Sequence, residues 1–565
     1  MQPLLEIKDL VIQFQHHDEI STAVNKISFN VDKGKITALV GESGSGKSLT
    51  ALSLLQLLPQ EAKVSGNIFL NDNTHTIDLN VINTKEITSI RGNKIAMIFQ
   101  EPMTSLNPLI KCGNQVAEAL LKHKKISKTQ AREKTIQLFK EVELPDPELI
   151  YNRYPHQISG GQKQRVMIAM AISCNPSLLV ADEPTTALDV RVQKSIMNLL
   201  KKLQIQYQMS VLLITHDLGL VADVADEIVV LYKGDIVEKG IAKKIIAHPE
   251  NNYTKALLSC RPNSNSKGNK LPMLSDFIPS EKIIINDLKT HGELMSNVNN
   301  KKPVISIQSL KIYFPSTLNF WGKPTSFHKA VDDISFDVFK QETVGLVGES
   351  GCGKTTLGRA ILKLIKPTEG KILVNGLDIN QKEKRNTGKE LQIVFQDPFG
   401  SLNPRLTIGD AITEPMKVHH LFRNQKERKE NAIELMKQVS LNSDYYNRYP
   451  HQFSGGQRQR ICIARALSTE PSIMVFDESV SALDVSVQAQ VLNLINELKS
   501  TYKFTSLFIS HDLSVVHYIS DRIIVMKDGK IVEQGDANEI FFNPKDEYTR
   551  ELIGSMPGKL PPSEG

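Results

Sequence analysis

The sequence predicts an α/β protein built as two copies of one domain in tandem. Three observations carry this. Short apolar runs alternate with amphipathic stretches along both halves. Distinctive strings recur at a fixed spacing, and each half places a Gly-rich turn between a strand-like run and a helix-like one.

The repeat comes first, because 565 residues exceed one ordinary core. Asn152-Arg-Tyr-Pro-His-Gln157 recurs as Asn447-Arg-Tyr-Pro-His-Gln452, and Ser105-Leu-Asn-Pro108 as Ser401-Leu-Asn-Pro404. Asp182 and Asp477 are 295 residues apart, as are His216 and His511. The Gly-rich turns, Gly41 and Gly348, are 307 apart, so the halves differ in loop length before that register settles. The expected organisation is a first domain over 3–260, a linker over 261–302, a second domain over 303–555 and a disordered tail over 556–565. Within the linker, Leu271-Pro-Met-Leu274 and Ile283-Ile-Ile285 have the apolar character to dock on a neighbouring surface.

Composition excludes some classes. The 68 basic and 62 acidic residues leave a net +6 without a basic block, so charge does not argue for a nucleic-acid partner, and none is expected. Met1 to Phe14 lacks the basic-then-apolar pattern of a secretion signal, and no apolar stretch reaches a membrane span. Any membrane role is therefore expected to be by docking. The five cysteines are scattered without a C-x-x-C pair, as expected of reduced thiols.

Along each half, Ile36–Val40 and Thr343–Val347 read as strands, and Leu49–Leu58 and Thr356–Ile365 as the helices after them. Between them, Gly41, Glu42, Ser43, Gly44, Ser45, Gly46, Lys47 and Ser48 fit the phosphate-loop pattern G-x-x-x-x-G-K-[ST]. Gly348, Glu349, Ser350, Gly351, Cys352, Gly353, Lys354 and Thr355 fit it again. The glycines let backbone N–H groups turn toward phosphate oxygens at the positive end of the helix. Lys47 and Lys354 are expected to reach the β- and γ-phosphates, and Ser48 and Thr355 to ligate Mg²⁺. Two buried-strand runs end in acid pairs, Asp182-Glu183 and Asp477-Glu478. The aspartates are candidates for holding Mg²⁺, and Glu183 and Glu478 for orienting and polarising the attacking water.

Ile158-Ser159-Gly160-Gly161-Gln162 and Phe453-Ser454-Gly455-Gly456-Gln457 narrow the class. Each serine can cap a helix whose N-terminus the glycines open to an anion. Here the chain resembles the ATP-binding-cassette (ABC) family, whose signature is Leu-Ser-Gly-Gly-Gln; Ile158 and Phe453 replace its Leu. The resemblance implies two tandem P-loop NTPase domains, each a RecA-like α/β core with an antiparallel β subdomain and an α-helical subdomain. The helical subdomains would span Gln100 to about Pro155 and Gln396 to about Pro450. It also implies head-to-tail cassettes, with ATP between one half's phosphate loop and the other's signature. Gln100 and Gln396 match loop glutamines that sense Mg²⁺ and the γ-phosphate, His216 and His511 the switch histidines, and Asp189 and Asp484 an interface loop. Phe14 and Phe314 are candidates for stacking on adenine. Ser479 departs from the pattern, standing where the first half has Pro184.

The runs Phe99–Pro108 and Phe395–Pro404 and the closing Tyr253-Thr254 and Tyr548-Thr549 resemble dipeptide, oligopeptide and nickel importers. The fused form resembles the glutathione-type and microcin-C-type importer ATPases, without the cysteine cluster many relatives carry after each cassette. The implied partners are two integral-membrane permeases and a substrate-binding protein, at the cytoplasmic face of the bacterial inner membrane. A ribosome-acting tandem cassette is the rival. It would need a long charged helical arm where this chain has Pro262, Pro272 and Pro279.

Overall fold

Unbroken apolar runs are what strands buried on both faces require, and the computed structural model places them at the centre of each half. It describes residues 2–16, 19–72, 75–100, 105–186, 188–278, 302–318, 324–381 and 384–556. The expected tail beyond 556 and the linker over 279–301 lie outside the described residues. Most of residues 1–258 form one compact unit and most of 259–565 the other, and the segment Ser259–Ser275 belongs to the second.

In the first unit a six-stranded sheet runs Asp235–Ile241, Glu227–Tyr232, Ile36–Val40, Ser210–Thr215, Leu178–Asp182, Ile95–Ile98. All neighbours are parallel except the edge strand Asp235–Ile241. The central three strands are buried along their whole length. Strand register aligns their ends: Val40 lies opposite Thr215, and Asp182 opposite Ile214. The residues just beyond, Gly41, Glu183 and His216, therefore emerge at one carboxyl edge, where open α/β sheets present groups to a ligand.

A second, antiparallel sheet is ordered Glu19–Val31, Leu5–His16, Ala62–Asp72, His75–Asp78. It packs its apolar face, Ile7, Leu10 and Ile12 among others, into the same core as Leu39 and Ala51. Helices Cys112–His123, Lys128–Glu141 and Pro147–Asn152 fill the interval after Gln100.

The second unit repeats this plan. Its six-stranded sheet is ordered Leu391–Val394, Ile473–Asp477, Thr505–Ser510, Thr343–Val347, Arg522–Lys527, Lys530–Asp536. Val347 lies opposite Ser510, and Asp477 opposite Ile509. The helices after the phosphate loops differ from expectation. They run Lys47–Ser53 and Lys354–Ile361, starting two residues earlier and stopping four to five short. Gln56 and Lys363 take left-handed backbone angles, φ +49° and +58°, which no helix continues through.

The segment 259–275 has a defined seat in the second unit. Leu271, 1% exposed, donates its N–H to Asn493 Oδ1 and accepts from Asn493 Nδ2, both at 2.9 Å. Tyr518 Oη donates to the same Oδ1 at 3.0 Å, and Lys270 pairs with Glu497 at 3.4 Å. Among the described residues no helix is long and apolar enough to cross a membrane, and all five cysteines are free and buried.

Candidate nucleotide sites

Each phosphate loop leaves a buried strand and enters a helix without a side-chain cap, and its glycines have a stated steric reason. Gly46 has φ +102°, and a Cβ there would stand 2.8 Å from Ala23 O. Gly353 has φ +106°, and a Cβ would stand 2.0 Å from Ala330 O. The first helical residue is the lysine. Lys47, 4% exposed, donates from Nζ to Gly41 O and Glu42 O, both at 2.7 Å. Lys354 does the same to Gly348 O and Glu349 O at 2.7 and 2.8 Å.

The hydroxyls and aspartates meet across the sheet edge. Ser48 Oγ donates to Asp182 Oδ1 at 3.1 Å, and Thr355 Oγ1 to Asp477 Oδ1 at 3.0 Å. Burial pushes the Asp182 carboxyl up to about 6, against the Ser48 hydrogen bond, and Asp477 shifts the same way for the same reason.

The glutamates sit in strained backbone, φ +45° at Glu183 and +48° at Glu478. Their N–H groups donate to Ile214 O and Ile509 O at 2.9 Å, which hooks each acidic turn to the next strand. Glu183 Oε2 accepts from Gln100 Nε2 at 3.1 Å and Thr186 Oγ1 at 2.8 Å, and Oε1 lies 3.2 Å from His216 Nδ1. Burial acts to raise this carboxyl, but His216, Thr186 and Lys47 outweigh it and hold it down to about 2. Glu478 accepts from Gln396 Nε2 at 2.8 Å and lies 3.6 Å from His511 Nδ1. It too is held below the ordinary range: burial opposes the shift, and His511 and Lys354 overcome it. Lysine, hydroxyl, aspartate, glutamate, glutamine and histidine thus gather at one edge in each unit.

Ser159 and Ser454 cap the helices Gly160–Ile172 and Gly455–Leu467. Gln162 and Gln457 close the reciprocal capping box, each side-chain Oε1 accepting the serine N–H at 3.1 Å. A Cβ on Gly161 or Gly456 would stand 3.0 or 2.2 Å from Val192 or Val487, so the second glycine permits close helix packing. The two aromatic candidates differ in setting. Phe14 packs against the core, whereas Phe314 is exposed.

Sequence reasoning missed Thr186 and gave no role to the closing tyrosines. Tyr253 Oη accepts the N–H of Glu42 at 2.9 Å, and Tyr548 Oη that of Glu349 at 3.0 Å. The repeated Tyr-Thr pair was the available signal.

A family model described as ABC transporter matches residues 24–186 and 331–481. A second, oligopeptide/dipeptide transporter, C-terminal region, matches 237–282 and 532–564. The glutathione import ATP-binding protein GsiA of Pectobacterium atrosepticum is 42% identical over 561 residues, 98% of this chain and 89% of its own. Its counterpart in Escherichia coli K12 is 42% identical over 565 residues, with the same coverage. Among solved structures, a dimeric post-hydrolysis ATP-binding cassette bound to ADP and Pi matches with 27% identity and a TM-score of 0.37. It covers 41% of this chain and 98% of its own.

Proposed function

We propose, for a chain that belongs to the ABC transporter family and is the ATP-hydrolysing subunit of an importer, that both of its sites hydrolyse ATP and together power uptake of glutathione or a similar small peptide. The observation that carries the proposal is the duplicated group of Lys47, Ser48, Asp182, Glu183, Gln100 and His216 with Lys354, Thr355, Asp477, Glu478, Gln396 and His511. The cargo rests on the glutathione import relatives and on the match to the oligopeptide/dipeptide C-terminal region.

The donor set fits Mg²⁺. Asp182 is a buried carboxylate raised by desolvation beside a hydroxyl, which is hard oxygen chemistry short of positive charge. Ser48 and Asp182, with Gln100, would hold the ion in one unit, and Thr355, Asp477 and Gln396 in the other; when bound, it would neutralise charge on the phosphates.

The protein's own residues then divide the work. Lys47 and Lys354 bind the terminal phosphates. Glu183 and Glu478 orient the attacking water and accept its proton. A carboxylate held near 2 is a poor proton acceptor. His216 lies 3.2 Å from Glu183 and helps hold its carboxyl down, so movement of the histidine toward the γ-phosphate would raise it. Following the family pattern, each phosphate loop works with the other half's signature, Ser454-Gly455-Gly456 or Ser159-Gly160-Gly161. The chain acts at the cytoplasmic membrane face with two permeases and a substrate-binding protein.

The test is Mg²⁺-dependent ATP turnover by the full chain, then uptake of labelled glutathione by cells carrying it with its permeases. Glu183→Gln and Glu478→Gln should each lower turnover, and the pair should remove it by on the order of 100-fold. Turnover abolished by Glu183→Gln but untouched by Glu478→Gln would refute two working sites. Uptake of dipeptides without glutathione would reassign the cargo.

A further inference from the structure

The C-terminal region of each cassette ends in a hydrogen-bonded chain that runs to the phosphate loop, and the chain is the same in both units. It begins on the edge strand of the large sheet. Glu238 accepts the N–H groups of Glu250 and Asn251 at 2.9 and 3.1 Å. Glu533, 295 residues on, accepts those of Lys545 and Asp546 at 2.8 and 3.2 Å. The next link caps the turn ahead of the closing helix. Asn251 Oδ1 accepts the Tyr253 N–H at 2.8 Å, and Asp546 Oδ1 that of Tyr548 at 2.9 Å. Both tyrosines are nearly fully buried, at 1% and 3% exposure, and their hydroxyls end on the loop, at the N–H of Glu42 and of Glu349.

One peptide unit is therefore held on both edges. The N–H of Glu42 and the carbonyl of Gly41 belong to the same planar group. Tyr253 holds the N–H, and Lys47 Nζ donates to the carbonyl at 2.7 Å. The peptide is also pressed against the sheet, since a Cβ on Gly41 would stand 2.2 Å from Leu231 O. In the second unit Tyr548, Lys354 and Gly348 make the same arrangement, with Met526 O at 2.2 Å. Because the group is rigid, fixing its N–H fixes where its carbonyl points, and so where the lysine ammonium stands.

We propose that Tyr253 and Tyr548 are positioning residues for ATP, each orienting the first peptide of its phosphate loop and thereby aiming Lys47 or Lys354 at the terminal phosphates. This gives the C-terminal region of each cassette a task in the nucleotide cycle. It rests on the reading that these loops bind ATP.

The test measures equilibrium binding of MgATP to the full chain in the Glu183→Gln, Glu478→Gln background. Tyr253→Phe with Tyr548→Phe removes only two hydroxyls and should weaken binding by about tenfold, the scale of one well-placed hydrogen bond per site. Asn251→Ala with Asp546→Ala keeps the hydroxyls but unhooks the turn, and should weaken binding in the same direction. Exchanging the caps, Asn251→Asp with Asp546→Asn, should leave affinity within about twofold. Affinity unchanged in the phenylalanine pair overturns the proposal. So does a loss matched by an equal destabilisation of the whole chain in thermal unfolding, which would make the tyrosines structural. Lys47→Ala with Lys354→Ala reports on the underlying reading separately. If that pair still binds ATP as tightly, the loops are not the ATP sites, whatever the tyrosines do.

Discussion

Asn493→Ala is the perturbation whose size the structure fixes most directly. The Asn493 amide is 5% exposed, exchanges two hydrogen bonds of 2.9 Å with the backbone of Leu271 and accepts a third from Tyr518. Alanine leaves the Leu271 N–H and C=O and the Tyr518 hydroxyl without that partner. Each buried group left unsatisfied costs about 1–3 kcal/mol. Part is recovered if 259–275 lifts and water enters, so the expected loss is about 2–4 kcal/mol. The same substitution at Asn198, the matching position 295 residues earlier and exposed, should cost under about 0.5 kcal/mol. Hydrogen exchange of the Leu271 amide is the direct assay, and denaturant unfolding of the full chain the supporting one. Asn493→Ala should speed exchange at Leu271 by on the order of 30-fold or more, and Asn198→Ala should not change it. Equal exchange rates in the two variants would refute the view that this segment is an integral part of the second unit.

Two further predictions concern the sites. Burial lifts Asp182 to about 6, whereas an unfolded aspartate titrates near about 4, so below about pH 3 neither the folded nor the unfolded chain carries that charge and folding is not penalised. Stability is then lost as pH rises through 6. In EDTA, Asp182→Asn should stabilise the protein at pH 8 by about 3 kcal/mol and at about pH 3 by next to nothing, measured by denaturant unfolding; equal effects at both pH values would contradict the burial argument. Gly351 and Gly353 both have positive φ, +88° and +106°, but only at Gly353 does a Cβ meet backbone. Gly351→Ala should cost about 1–2 kcal/mol, while Gly353→Ala should also displace the loop and weaken ATP binding at that site. Equal binding by the two variants would show that the loop tolerates the clash.

What the sequence made legible is what local chemistry requires. The strands Ile36–Val40 and Thr343–Val347 end where the Gly-rich turns begin, and each acid pair closes a buried run. The helix ends were misplaced for a physical reason. Leu54 and Leu55 lie past the end of the first helix yet are buried, so the apolar pattern runs on through a left-handed turn at Gln56. The start was misplaced because no capping side chain marks it; the loop passes into helix at Lys47 through left-handed Gly46. The tyrosine contacts were out of reach in another way. Tyr253 and Glu42 are 211 residues apart, and no spacing rule relates a closing helix to a loop so distant in the chain.

The seat of residues 259–275 shows how two halves that look equivalent as nucleotide machines differ elsewhere. Position by position, the first unit carries Asn198, Lys202 and Asp223 where the second carries Asn493, Glu497 and Tyr518. The asparagine is common to both and so decides nothing alone. Lys202 is engaged by Glu143 at 3.0 Å, whereas Glu497 offers a negative partner that Lys270 takes. Asp223 is exposed, whereas Tyr518 is 5% exposed and donates to the shared asparagine, holding its amide in the orientation that reads Leu271. A lysine at 497 would set like charges beside Lys270, and an aspartate at 518 would place a carboxylate against the Asn493 carbonyl oxygen. Glu497 and Tyr518, flanking an unchanged asparagine, therefore favour the second unit as the seat of this segment, while the lysine, acid pair, glutamine and histidine of the candidate site are the same in both halves.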